Sequence, residues 1–514
     1  MVQRSNGEWL QKPPLKPPPE KRPPIADPFP LLSKPLSPFY KKLLSERTRP
    51  PTPHPAHETP LFIGFTRNWP QLIQCVVSYI AAGWPAADIY VVENTGVMYS
   101  NRDDKLTLQN PFYLNHTQLA MLGGVKVIMT PTLLTFAQLQ NFYAYTALQR
   151  NWTEYFWSHQ DVVVFSFEEA SEGGTPSPDT IAKQGFNIYD RNSSTSLYHR
   201  AVSVQSYLRK NKHHLIHTNM QAAKPPTKWA NVFFRYDQLT LVNTASVVDT
   251  GGWDTHIPFY TSDCDMYIRQ KWSGYAHYTT REAGHVFDVA SVLDDVGALL
   301  RLPGIHALFP GDPGVPIEEQ GWWKAINSDS SAVPSSSSGT QQQTHYQSSP
   351  TTNKNPEDDD SFSPTKSSTF LREINTLTRL SKQTSRFGET YNNLLATVRR
   401  MSAQKYSGGT NSHRNTWQKS QSGGYGEPFY RDPDGFEQGI LMQIDLGRSV
   451  FSDKWGHRGC DIARWTVPNS KEGAEEEGNG YGREEGVKSL GDLAWRVERD
   501  WDVEEEGWGH EGGW

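Results

Sequence analysis

From Leu61 to about Asp288 the chain alternates short apolar runs with longer stretches of mixed polarity. LFIGF, beginning at Leu61, is an apolar run of strand length and predicts a buried strand. QLIQCVVSYIAAGWP follows with amphipathic spacing and is stopped by Gly83 and Pro85, which predicts a helix. ADIYVVEN then predicts a second buried strand, so the first thirty-odd residues form a βαβ unit of a parallel sheet. VKVIMTP predicts a third strand. FAQLQNFYAYTALQRN predicts a second helix, with Phe136, Leu139, Phe142, Tyr143 and Leu148 as its apolar positions. YFWSHQDVVVFSF divides into two strands around a polar break. Residues 171–228 are less regular, with a helix expected around 196–210. KWANVFFRYDQLTLVNTASVVDTGGWD holds strand-like runs ending at Gly251 and Gly252. SDCDMYIRQKWSG predicts a helix, YAHYTT a last strand, and REAGHVFD a loop.

Composition confines folding to part of the chain. Hydrophobic residues are 36%, with 40 glycines and 36 prolines, and the mean hydropathy is −0.65. A chain folded throughout would need more apolar surface to offset its ordering entropy. Residues 1–60 are Pro-rich and basic, with ten Lys/Arg against five Asp/Glu, and are expected as an extended tail. Residues 61–310 are expected as the main domain and 327–369, rich in Ser, Thr, Gln and Asp, as a disordered linker. Residues 370–402 predict a long helix. Leu377, Leu380, Thr384, Phe387, Tyr391, Leu394, Val398 and Met401 repeat at spacings of three and four. That seam over 377–401 suits either a homodimer or packing across the main domain. Residues 425–468 are expected to fold against that domain. Residues 469–514 are expected as an acidic tail, with five Lys/Arg against fourteen Asp/Glu in 471–514.

The net charge of −6 argues against bulk affinity for nucleic acid. Three cysteines, Cys75, Cys264 and Cys460, exclude a dense disulfide framework and leave room for one bridge. No run approaches 18 apolar residues, and residues 1–14 lack the apolar core of a signal peptide. Asn115, Asn151 and Asn192 each begin an Asn-x-Ser/Thr sequon.

Candidate chemistry collects at expected strand ends, where open parallel sheets bind ligands. Thr66 and Arg67 follow the first strand, Glu93 and Asn94 the second, and His159 and Asp161 sit in the polar break. A carboxylate such as Glu93 can accept hydrogen bonds from a ribose or base. Asp161 suits Mn²⁺ or Mg²⁺, which take oxygen ligands from one or two carboxylates plus substrate phosphates. Thr261-Ser262-Asp263-Cys264-Asp265 starts a helix, so its acids complement the helix dipole, and either could serve as a general base. His285, His277 and His457 are further imidazoles that could accompany a carboxylate on Mn²⁺.

In order and spacing these elements resemble the GT-A glycosyltransferases, in particular the family 2-like enzymes. LFIGFTRNWPQLIQCVVSYI looks like their opening strand and helix, and ADIYVVENTG like their second strand. WSHQDVVVFS stands in the place of their DxD motif, with His159 where the first Asp is expected. VVDTGGWDTHIPFYTSDCDMYIR looks like their Gly-Gly-aromatic-Asp segment followed by an acidic helix start, with Ser262 in place of a Glu. The overlap covers about 230 residues.

The resemblance implies an α/β GT-A fold, a Rossmann-like mixed sheet with helices on both faces. It implies that Asp161, with His159 and His285, holds Mn²⁺ or Mg²⁺, and that Thr66, Arg67, Glu93, Asn94, Gly251, Gly252 and Trp253 bind the donor. Asp263 would be the catalytic base and Asp265 would position the acceptor or backbone. The implied reaction is metal-dependent, inverting transfer of a sugar from a nucleotide-diphosphate sugar to a hydroxyl of a glycan, protein or lipid. The implied compartment is the Golgi or secretory lumen, with the cytosol as the alternative, since neither a signal-peptide core nor an apolar run of anchor length is present. The alternative is a degenerate member that binds or scaffolds without catalysis.

Overall fold

Every strand at the centre of the molecule is buried on both faces, which is why its sequence reads as an unbroken apolar run. The computed structural model describes Phe29 and residues 59–168, 196–210, 228–302, 305–312, 389–406 and 428–455. The strands are β1 Leu61–Phe65, β2 Ile89–Glu93, β3 Lys126–Met129, β4 Glu154–Ser158, β5 Val162–Phe165, β6 Lys228–Arg235, β7 Leu239–Asn243, β8 Tyr275–Thr279 and β9 His285–Asp288. Helices α1 Trp69–Ala81, α2 His116–Met121, α3 Phe136–Gln149, α4 Leu197–Lys210, α5 Thr244–Asp249, α6 Ser262–Trp272, α7 Tyr391–Tyr406 and α8 Pro433–Trp455 surround them.

Seven strands form one mixed sheet in the order β3-β2-β1-β4-β7-β6-β8, and β5 pairs with β9 in a second, two-stranded sheet. The β3-β2-β1-β4 half is parallel. β7 runs antiparallel to both β4 and β6, and β8 is parallel to β6. The fold is therefore α/β, with a mostly parallel sheet between helices.

Strand alternation feeds two cores. Leu61, Ile63, Phe65, Ile89, Val91 and Phe156 face the one that holds α1. Phe62, Tyr90, Val92, Tyr155 and Trp157 face the one that holds α3. Gly64 lets α3 approach, since a Cβ there would lie 2.5 Å from the Tyr143 hydroxyl and 2.8 Å from Leu139. α1 is buried nearly all round, so its polar residues need internal partners. Gln71 Nε2 donates to the Val289 carbonyl at 2.7 Å, and Gln74 accepts from the Leu293 amide at 2.7 Å. These bonds lay the segment after β9 along α1.

Several expectations change. REAGHVFD is not all loop, because His285–Asp288 form β9, antiparallel to β5. The strand-like region before Gly251 contains two strands and then α5. Phe29, within the segment expected as a tail, is fully buried, with its ring edge-on to Trp69 at 5.8 Å. In α7, Tyr391, Leu394, Val398 and Met401 are buried in the chain's own core, so this part of the seam packs intramolecularly. Leu377, Leu380, Thr384 and Phe387 lie outside the described residues, as do the linker at 327–369, the tail at 469–514 and Asn192. Among the described residues no helix is long and apolar enough to cross a membrane.

α7 is further fixed by polar contacts. Tyr391 donates to the Ser166 carbonyl at 2.8 Å. Arg400 grips Asp312 with two bonds of 2.9 and 2.8 Å, both side chains being almost entirely buried. α8 packs on α6 and the segment before it, where Phe451 and Trp455 meet Ile257, Cys264 and Ile268. Removing one partner of a buried ion pair strands the other's charge and typically costs about 3–5 kcal/mol. Arg400→Met is expected to lower unfolding stability by an amount of that order, read from urea denaturation followed by circular dichroism.

Candidate active site

The register of the sheet gathers the chemically capable residues at the carboxyl ends of β1, β2 and β4. β4 lies centrally, between β1 and β7. Because β7 is antiparallel to β4, with Ser158 opposite Leu239, the turn entering β7 lands beside the end of β4. The Ser158 hydroxyl bonds the Gln238 carbonyl at 2.8 Å. The His159-Gln160-Asp161 turn is pinned from the other side. Gln160 Nε2 donates to the Arg67 carbonyl at 2.7 Å, and the Cys75 thiol lies 3.3 Å from the His159 carbonyl.

Two carboxylate pairs flank this edge. In the first, Lys405 of α7 bridges Asp161 and Asp288. Its Nζ lies 2.9 Å from Asp161 Oδ2, contacts Asp288 Oδ1, and its side chain is 2% exposed. Tyr406 donates to the other oxygen of Asp288. Burial opposes the charge on Asp161, yet Lys405 and His159 outweigh it and hold this carboxyl below its usual range. Asp288 is pushed up, first by burial and then by Asp161. Burial also opposes the charge on Lys405, but the two carboxylates outweigh it and hold the ammonium above the usual lysine range.

The second pair is Asp237 and Asp263. Asp263 lies in the first turn of α6, part-exposed, and accepts from the Tyr236 hydroxyl at 2.8 Å. Asp237 occupies the turn before β7 at φ 54° and accepts from the Tyr267 hydroxyl at 2.8 Å. Burial, and then the negative charge of Asp263, push the Asp237 carboxyl up to about 8. Asp237 therefore keeps its proton near neutral pH.

A row of rings joins the two pairs. His159 stacks on Phe136 at 5.9 Å, and Phe136 meets Trp253 edge-on at 5.5 Å. Trp253 meets Tyr267 at 6.0 Å, and Tyr267 carries the hydrogen bond to Asp237. Asn141 fixes the Trp253 backbone at both its amide and carbonyl, with bonds of 2.8 and 2.9 Å. Gly251 and Gly252 both have positive φ and turn the chain out of α5 towards Trp253. At Gly252 a Cβ would also lie 2.8 Å from Asn141 Oδ1.

Other expected site residues have different surroundings. His285 is opposite Phe165, whereas Asp161 immediately precedes the Val162–Asp288 pair. That separates His285 from Asp161 by the whole ladder, about 13 Å at ~3.3 Å per residue. Asp288 is the β9 residue that reaches Asp161. Asp265 is fully buried and turned away from Asp263. It takes bonds from Arg269 at 2.9 Å and Trp455 Nε1 at 3.1 Å, with Lys454 at 2.7 Å, so it anchors α8. Glu93 is buried with both oxygens engaged, by Asn101 at 2.7 Å and Thr95 at 3.1 Å on one and His116 at 2.7 Å on the other. Asn94 clamps the loop before α3 through the Leu134 amide and carbonyl. Thr66 is part-exposed at the end of β1, while Arg67 is buried 5.2 Å from the ring of Phe436 of α8. Ser262, where the resemblance expects a Glu, turns its hydroxyl back onto the Phe259 carbonyl.

The donor set at Asp161 does not fit the expected Mn²⁺ or Mg²⁺. One Asp161 oxygen and both Asp288 oxygens are already bonded to α7, and His285 is out of reach. Asp237, Asp288 and Lys405 were not singled out from the sequence. Asp288 closes the GHVFD segment, and Asp237 carries the signal of an acid in a hairpin turn. Lys405 carries none, being 244 residues from Asp161. No protein-family model matches the chain, and no curated protein matches it.

The raised Asp237 carboxyl has a definite consequence for stability. An unfolded Asp titrates near ~3.9, and the folded one at about 8. Folding takes up a proton between those values, so the stabilisation is complete below about pH 4 and is lost as pH rises towards 8. Urea denaturation of wild type and Asp237→Asn from pH 5 to 8 should show wild type losing stability relative to the variant. Parallel curves would assign the raised carboxyl elsewhere.

Proposed function

We propose that this chain is a glycosyltransferase that moves a sugar from a nucleotide-diphosphate sugar to a hydroxyl acceptor, with inversion. The observation that carries this reading is the Asp237–Asp263 pair at the carboxyl edge of the sheet, joined by an aromatic row to the Asp161 turn. Asp263 is part-exposed and able to meet a ligand, while its partner keeps its proton near neutral pH. A carboxylate placed in this way can act as general base.

In the proposed reaction the acceptor hydroxyl gives its proton to Asp263 as its oxygen attacks the anomeric carbon. The bond from that carbon to the diphosphate oxygen breaks, and the nucleoside diphosphate leaves with the electron pair. Attack opposite the leaving group inverts the centre. Asp263 stands in the first turn of α6, the end of a helix that favours acidic side chains. Phe136, part-exposed and backed by the buried Trp253, offers an apolar face to a sugar. Thr66 and the Gly251–Gly252 turn border the donor side. The acceptor is a hydroxyl of a glycan, a protein or a lipid.

A secretory compartment such as the Golgi lumen accords with a disulfide-bonded Cys264. Disulfides persist mainly in oxidising compartments. Asn151 of the second sequon is exposed.

A second reading is a binding or scaffold protein on the same framework. It is favoured by Glu93, Asn94 and Asp265, whose polar atoms serve internal contacts. Asp263→Asn separates the two. On the transferase reading it lowers kcat by at least about a hundredfold and leaves the affinity for a bound nucleotide sugar within a few-fold, measured by calorimetry. Wild-type turnover in that variant would remove Asp263 from the chemistry. Failure of every nucleotide sugar to bind the wild-type chain would favour the scaffold.

A further inference from the structure

We infer that the Lys405 ammonium takes the place of a divalent cation at the Asp161 turn, so that the site operates with its balancing charge built into the chain. Lys405 is delivered by α7 and sits between Asp161 and Asp288, with Tyr406 on the far oxygen of Asp288. Its side chain is 2% exposed, whereas those of Asp161 and Asp288 are 13% and 15% exposed. Lys405 therefore acts through the two carboxylates and is a positioning residue.

Charge arithmetic supports the assignment. Two carboxylates about one point would repel an anionic diphosphate and attract a dication. With one ammonium between them the cluster carries at most one net negative charge. A divalent ion would then have to displace a buried, multiply bonded lysine or bind alongside its positive charge. Both routes are unfavourable in a site that water barely reaches. α7 cannot easily withdraw, because Leu394, Val398 and Met401 are in the core and Arg400 holds Asp312.

The inference rests on reading the Asp161 turn as the diphosphate side of a transferase, but its test needs no sugar. Mn²⁺ is titrated into the full-length wild-type chain, into Lys405→Gln and into Lys405→Arg, with free ion followed by electron paramagnetic resonance. Wild type and Lys405→Arg should bind no stoichiometric Mn²⁺ at Asp161. Lys405→Gln frees two acidic side chains and should bind one Mn²⁺ per chain at least tenfold more tightly than wild type, with its melting temperature raised by the ion. One Mn²⁺ bound to wild type and lost in Asp161→Asn would overturn the inference. So would a folded Lys405→Gln that gains no Mn²⁺. If Lys405→Gln does not fold, the wild-type and Asp161→Asn titrations still decide. Mn²⁺ binding to a wild type that also transfers sugar would sink this inference and leave the transferase standing. The expected Mn²⁺ pattern without any transfer would do the reverse.

Discussion

Burial of the central strands on both faces is the constraint from which the rest of this architecture follows. β1, β2 and β4 expose almost nothing, so their backbone groups must pair within the sheet and their side chains must be covered by helices on either side. α1 and α3 supply the covers. Polar groups with work to do are then excluded from the strands and collect at their ends. The His159-Gln160-Asp161 turn, the Asp237 turn and the start of α6 all lie on that one edge because β7 reverses direction against β4.

The segments after the gap in the described residues are joined to that edge. α7 inserts Lys405 beneath Asp161 and Asp288. α8 is tied at one end to Asp265 through Trp455 and Lys454, and at the other its Phe436 covers Arg67. Sequence more than a hundred residues beyond β9 thus completes the site electrostatically. Asp265 illustrates the exchange of roles. It is two positions from Asp263 on the same helix turn, yet faces inward and organises a docking contact, while Asp263 faces the open edge.

How much could be read in advance differs by residue. The strands LFIGF and ADIYVVEN and the helix between them were legible, because apolar periodicity reflects burial directly. The strand-end position of Asp161 is legible for the same reason, as is the place of Asp263 at the start of a helix, while the contact of that helix start with the Asp237 turn is not. Glu93 was legible in place but not in role. Asn101, Thr95 and His116 consume its oxygens, and they come from the loop after β2 and the first residue of the short α2, neither of which carries a periodic signal. His285 and Asp288 lie at opposite ends of β9, and the pairing with β5, which leaves no local signal in GHVFD, puts Asp288 beside the Asp161 turn.

The sequence by itself determined the α/β character, the order of the opening elements and the acids at their ends, all of which depend on contacts among near neighbours or on one face of an element. Only the tertiary structure decided that Asp237 faces Asp263, that Asp288 rather than His285 meets Asp161, and that Lys405 stands between those two carboxylates. Those pairings join residues 26 to 244 positions apart. Their charge states follow from distance and burial, neither of which leaves a local mark on the chain.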